Sequence, residues 1–291
     1  MHFPAMSSSW SPSEASDWVG CALDQNARDK MEDVVDVTLI PGGGIFTVLD
    51  GHNGRVAVDF VARHLPASIM GSVHFEEGQI EEALISGFRE TECGLVNFLI
   101  QQQGAAAACE DADFPHLTSG VVVCVLVLLD NHIYTAHVGD CRAVLSRNFQ
   151  ALPLTVDHNV GNVDEKDRVS SLVSPEGYIN GLMVTRSLGN VSCHTLEKCE
   201  GQIAVPTCSH FPISFDTDEF VLIASDGLYE VFSNDAIISI VRRAMIRPSF
   251  SPDKAARELV ERAIMRGSCD NVCVCLIFLK QRTSPAIGPF R

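Results

Sequence analysis

Ile45-Phe46-Thr47-Val48-Leu49-Asp50-Gly51-His52 decides how this chain is read. An apolar run rich in β-branched and aromatic residues reads as a buried strand, and Asp-Gly ends it. The strand end holds the Asp50 carboxylate rigidly, and the glycine beside it lets other groups come close. The pattern recurs far away, where Phe220-Val221-Leu222-Ile223-Ala224-Ser225 leads into Asp226-Gly227. Two carboxylates delivered in the same way from distant segments point to one oxygen-lined metal site.

Outward from the first stretch, residues 19–24 and 33–39 read as strands, and a helix is expected over about 54–65 with Pro66 near its end. A long helical pattern covers 79–103, and Gly104 opens a loop. Strands return at 120–129, 132–138 and 142–146, with Asp130-Asn131 as a hairpin signal. A short helix is expected over Asp164 to Leu172. Residues 182–187 look strand-like and 190–210 irregular. After the strand 219–225 come helices at about 234–246 and 252–266, with Asn234 and Ser251 as N-caps and Pro252 at a first helical position. A last strand runs from Val272 to Leu279. Strands in series with a few long helices describe an α+β fold rather than alternating βαβ units. The expected division is a loose Ser/Pro-rich segment 1–17, one domain 18–281 and a tail 282–291.

The 291 residues are 46% hydrophobic, enough for one large core, and the net charge of -16 argues against nucleic-acid binding. The 11 cysteines are odd in number and form no CxxC pair, so free thiols in a reduced cytoplasmic or nuclear compartment are expected. The longest apolar stretch, Val121 to Leu129, is too short for a bilayer, so no membrane association is expected. The expected form is a monomer.

Acidic residues flank the apolar strands at Glu32-Asp33, Asp50, Asp140, Asp226 and Asp270. Each alone is an ordinary turn residue. Together at one end of a strand sandwich they would repel unless a cation neutralised them, and oxygen donors without Cys or His favour Mg²⁺ or Mn²⁺ over Zn²⁺. Cys141 and Arg147 have the Cys-x5-Arg spacing of cysteine phosphatases, but no glycine lies between them and the segment reads as a strand. Cys193, His194, Cys199, Cys208 and His210 accumulate in 190–210. Zinc there is one alternative; a flap loop with free thiols is the other, and the spacing matches no finger.

The ordered set Arg28-x-x-Met31-Glu32-Asp33, Asp50-Gly51-His52-x-Gly54, Ser119-Gly120, Val138-Gly139-Asp140-x-Arg142-Ala143, Leu154-Thr155-x-Asp157-His158, Asn180-Gly181, Thr185-Arg186-Ser187-Leu188-Gly189, Ala224-Ser225-Asp226-Gly227 and Gly267-Ser268-x-Asp270-Asn271 resembles the metal-dependent Ser/Thr protein phosphatases of type 2C. The resemblance runs from about residue 19 to 279. It implies two packed antiparallel β-sheets flanked by helix pairs, an α-β-β-α sandwich, with two Mg²⁺ or Mn²⁺ ions at one end and a weaker third. By motif position Asp50 would bridge the two metals, the Gly51 carbonyl would serve one, and Asp226 and Asp270 the other. Glu32 and Asp33 would act mostly through metal-bound water, with Asp33 also helping to ligate a further ion, and Asp140 would serve the third metal. The implied reaction is attack of a metal-bridging hydroxide on phosphoserine or phosphothreonine in phosphorylated protein substrates. Arg28 would grip phosphate oxygens with its planar fork, and His52 would protonate the leaving oxygen. Read singly, Arg28 is a surface charge near Asp29 and Glu32, and His52 a turn-stabilising hydrogen bond; His158 reads as structural.

Four positions depart from the family pattern. Asn190 stands where Asp is usual, Tyr229-Glu230 replaces Trp-Asp, Val121-Val122 replaces a small polar pair, and Cys273 replaces Thr. A pseudophosphatase scaffold is the main alternative function, and hydrolysis of another phosphoester a third.

Overall fold

A computed structural model of the chain describes residues 18–106 and 117–279, with side chains 103–106 excepted. The segments 1–17 and 282–291, to which a loose N-terminus and a tail were assigned, lie outside the described residues.

β1 (Val19–Asp24), β2 (Asp33–Ile40) and β3 (Gly43–His52) precede the helices α1 (Val56–Met70), α2 (Val73–Glu76) and α3 (Ile80–Ala106). β4 (Gly120–Leu129), β5 (His132–Val138), β6 (Arg142–Arg147) and β7 (Gln150–Pro153) follow, then α4 (Val163–Val169) and β8 (Leu188–Gly189). β9 (Thr207–Pro212), β10 (Asp218–Ala224), α5 (Asp226–Tyr229), α6 (Asn234–Met245), α7 (Pro252–Met265) and β11 (Val272–Phe278) complete the order. One sheet runs β1-β11-β10-β6-β7 and the other β2-β3-β4-β5-β9, with β8 paired to β4. Every ladder is antiparallel. The expected α+β sandwich is the fold.

The period of two along β3 and β4 builds both layers of core. Phe46, Val48, Cys124, Leu126 and Leu128 face the other sheet, while Ile45, Leu49, Val123, Val125 and Val127 face α1 and α3. Val121 to Leu128 is therefore buried throughout, as a strand covered on both faces must be. On the opposite outer face, α6 and α7 lay Ile237, Val241, Leu259 and Ala263 against the five-stranded sheet. The β4–β5 hairpin turns at Asp130 and Asn131, both at positive φ (50° and 62°), as the Asp-Asn signal predicts.

Several boundaries differ from expectation. Pro66 lies inside α1, which continues to Met70, because the apolar face Val58, Val61, Leu65 and Ile69 packs beyond the missing N–H. α3 likewise runs through Gly104 to Ala106. Ser233, not Asn234, caps α6, its Oγ accepting from the Ala236 N–H; Ser251 caps α7 as expected. β9 occupies part of the supposedly irregular 190–210 segment. It is a half-exposed edge strand without clean alternation, held by pairing to β5. Residues 182–187 form only isolated bridges, through Leu182, Val184 and Arg186.

Candidate metal centre

Asp50 lies near the end of β3, which pairs on through the expected Asp-Gly stop to His52, and its register partner on β2 is Asp33. Asp226 starts α5, directly after β10, while Asp140 follows β5 and Asp270 precedes β11. These loops all open at one end of the sandwich, around a cavity of about 610 Å³. Arg28, Glu32, Asp50, Gly51, His52, Asp140, Asp226, Glu230 and Asp270 are among the residues that line it. Carboxylate oxygens of Asp50, Asp140 and Asp226 lie within 4.8 Å of one another, and so do those of Asp226, Glu230 and Asp270. The Oδ1 atom of Asp226 is buried with no hydrogen-bond partner.

The electrostatic cost of this convergence is visible in the carboxyl groups. Burial raises Asp50 well above the usual carboxylate range, and Asp33, Asp226, Asp140 and Asp270 add to the rise. Burial pushes Asp140 up to about 8, with Asp226 and Asp157 adding. Asp226 rises to about 6 through burial and the neighbouring Asp270 and Glu230. Asp33 rises to about 7, again chiefly by burial, although Ser225 Oγ donates to its Oδ2 at 2.6 Å.

Asp33 stands behind the cavity and belongs to neither carboxylate group. Glu32 lines the cavity but joins neither group. Asp140, expected apart at a weaker site, meets Asp50 as well as Asp226. Arg28 Nη2 donates to Asp270 Oδ2 at 2.5 Å, so the phosphate-gripping candidate is moored to a candidate metal ligand. His52 Nε2 lies 3.0 Å from Asn190 Oδ1 and 2.9 Å from its Nδ2. The Asn190 amide is itself fixed, since Ser187 Oγ donates to its Oδ1 and its Nδ2 donates to the Thr118 carbonyl. Asn190 therefore orients His52 from position 138 residues away.

Three contributors were not singled out as site residues. Glu230 was noted only as a departure, yet it follows Asp226 by four residues on a helical turn, a spacing that sets both on one face. Ser225 fixes Asp33 and also accepts from the Cys273 N–H, which binds the two strand ends together. Asn271 accepts from the Glu32 N–H and donates to the carbonyls of Gln25 and Lys30, tying the Arg28 loop to β11. No sequence pattern announces such a clamp.

Gly227 is required by close approach. A Cβ there would stand 2.2 Å from the Asn271 carbonyl oxygen. Gly227→Ala is expected to cost about 3 kcal/mol, read as a lower urea midpoint at unchanged m.

The remaining candidates settle into structural roles. Arg147 is paired with Asp218, and Cys141 is buried at the foot of β6, so Cys-x5-Arg forms no phosphate loop. His158 bonds Thr207 Oγ1 and accepts from the Gly139 N–H, and burial followed by His137 lowers it to about 3. Cys208 and His210 sit on β9, where the His210 ring stacks on Tyr134. Among the described residues, the cysteines and histidines of 190–210 assemble no metal-ligating group.

Two packed antiparallel sheets flanked by helices, with an all-oxygen acidic centre at their loop end, make an α-β-β-α sandwich that carries a candidate metal site. Protein phosphatase 2C, as a sequence family, matches residues 25–272, and the chain belongs to that family. It is 30% identical over 250 residues to "Probable protein phosphatase 2C 22" of Arabidopsis thaliana, covering 82% of this chain and 60% of that protein. It is 31% identical over 249 residues to "Probable protein phosphatase 2C 54" of Oryza sativa subsp. japonica, covering 83% and 64%. The chain thus spans less than two thirds of either relative. The fold is shared with serine-threonine phosphatase 2C from Toxoplasma gondii, at TM-score 0.74 and 18% identity over 90% of this chain and 94% of that one. A C. elegans sex determining protein has it too, at TM-score 0.75 and 21% identity over 94% and 66%.

Proposed function

We propose that this chain is a Mg²⁺- or Mn²⁺-dependent protein serine/threonine phosphatase. The supporting observation is the convergence of Asp50, Asp140, Asp226, Glu230 and Asp270 on one cavity, with a buried, unpartnered Asp226 oxygen. The donors are hard oxygens, a fit to Mg²⁺ or Mn²⁺, and cations there would relieve the repulsion that raises the carboxyl groups. Asp50, Asp226 and Asp270 with the Gly51 carbonyl would hold two ions, with Asp140 joining Asp50 and Asp226 on one side and Glu230 joining Asp226 and Asp270 on the other. Glu32 and Asp33 would act through the surrounding hydrogen bonds. When bound, such ions supply Lewis acidity and a water of lowered pKa.

The chain's own groups do the rest. Arg28, half-free at the cavity mouth, exchanges Asp270 for phosphate oxygens and aligns the ester. His52, oriented by Asn190, delivers a proton to the departing serine or threonine oxygen. Burial lowers the His52 pKa and Lys198 adds to this, while Asn190 opposes it. A phosphate dianion beside the ring acts in the same direction as Asn190.

The scaffold alternative rests on the departures at Asn190 and Glu230; the longer arm of Glu230 still joins the Asp226–Asp270 group, which supports the phosphatase reading. The deciding experiment measures hydrolysis of a phosphoserine peptide and an aryl phosphate with Mn²⁺ and with EDTA. Metal-dependent turnover of both is expected; none with either substrate overturns the proposal. His52→Ala is expected to lose about 10²-fold on the phosphoserine peptide and less than about tenfold on the aryl ester, whose leaving group needs little protonation. Equal losses would remove His52 from the acid role.

A further inference from the structure

The cavity has two unlike walls. One carries Arg28, Asp29 and Lys30; the other is formed by 181–184, with Leu182 half-buried and Met183 65% exposed. A methionine so exposed beside a charged centre contributes little to the core and presents a soft, adaptable apolar surface.

Its backbone is held firmly. Ile179 and Leu182 exchange both backbone hydrogen bonds, at 2.8 and 2.9 Å, across Asn180 and Gly181 at φ 51° and 78°. This is the tight two-residue turn that Asn-Gly favours. Asn180 Nδ2 donates to the Glu200 carbonyl, Gln202 Nε2 to the Val184 carbonyl, and the Thr185 N–H to the His158 carbonyl. The segment is thus anchored on both sides of Met183, and its apolar face is preorganised rather than recruited.

We infer that Leu182 and Met183 form a specificity shelf for a large apolar side chain flanking the phosphoserine or phosphothreonine of a protein substrate. The inference rests on the phosphatase reading. With the phosphate at the carboxylate end, adjacent residues of an extended peptide lie only ~3.3–3.6 Å apart along the chain, so a neighbour reaches the wall of the same cavity. The shelf is continuous with the phosphate site, which favours a substrate side chain over an unrelated partner.

Three phosphoserine peptides that differ only in the residues on either side of the phosphoserine (Leu, Gly or Asp) are compared with an aryl phosphate, using the full chain with Mn²⁺. The Leu peptide is expected to exceed the Asp peptide by about tenfold in kcat/KM, mainly through KM. Met183→Ser is expected to compress that ratio below about twofold, and Met183→Leu to restore it. Turnover of aryl phosphate and peptides without a Leu preference overturns the shelf alone, as does a preference that Met183→Ser leaves intact. Absence of turnover with every substrate overturns the phosphatase reading, and the shelf with it.

Discussion

Asp50→Asn is expected to lower metal-dependent kcat by about 10³-fold or more while making the metal-free chain more stable. The two effects have one origin. Asp50 faces Asp33 across the β2–β3 ladder and shares the cavity with Asp140 and Asp226. Its charge is needed to hold cations and is a burden without them, as its strongly raised pKa records. Asparagine keeps the shape and removes the charge. Relief of about 1 kcal/mol or more corresponds to a melting temperature higher by roughly 2–4 °C for a chain of this size. Steady-state kinetics with Mn²⁺ and thermal unfolding in EDTA check both halves. Full activity would displace Asp50 from the centre, and a lower melting temperature in EDTA would contradict the repulsion.

The second large effect is a metal-reversible loss of stability with rising pH. Asp33 at about 7, Asp140 at about 8 and Asp50, raised well above the usual carboxylate range, all hold protons in the fold that they lose, near pH 4, when unfolded. The folded state therefore binds more protons over this interval, and stability falls as pH rises through the folded values. Buried His52, His137 and His158, with lowered pKa values, act oppositely at lower pH, and that contribution is complete above the ordinary imidazole value near 6.5. The clean window is pH 6.5 to 7.5, below the thiol range in which the buried cysteines, also raised, begin to contribute. In EDTA the melting temperature should drop by roughly 5 °C across it. Saturating Mg²⁺ or Mn²⁺ should abolish the slope, because ions that bind only the folded chain stabilise it by mass action and replace the protons. A slope unaffected by divalent ions would assign the pH response to groups away from the cavity.

The two strands that deliver Asp50 and Asp226 were legible because apolar runs lead straight into carboxylates, although β3 continues past Asp50 to His52. The motif order carried the fold and the family. Partner choice inside the site was not legible. That Arg28 rests on Asp270, or that Asn190 holds His52, depends on loops of 242 and 138 residues closing to hydrogen-bond distance, which local patterning does not encode. The edge strands β7 and β9 were also hidden. Each is stabilised mainly by a neighbour's ladder, so its own sequence needs little alternation.

β11 lies between β1 and β10, and Asn271 at its start clamps the carbonyls of the Arg28 loop. During synthesis this gives time a role. β1 and Arg28 emerge from the ribosome early and wait, without their ladder, while nearly 250 residues are added. Until β11 has been made, neither Asp270 nor the clamp exists. On the proposed function, a nascent chain has no complete site until β11 is in place, and an interrupted one leaves β1 as an open edge for quality control to find.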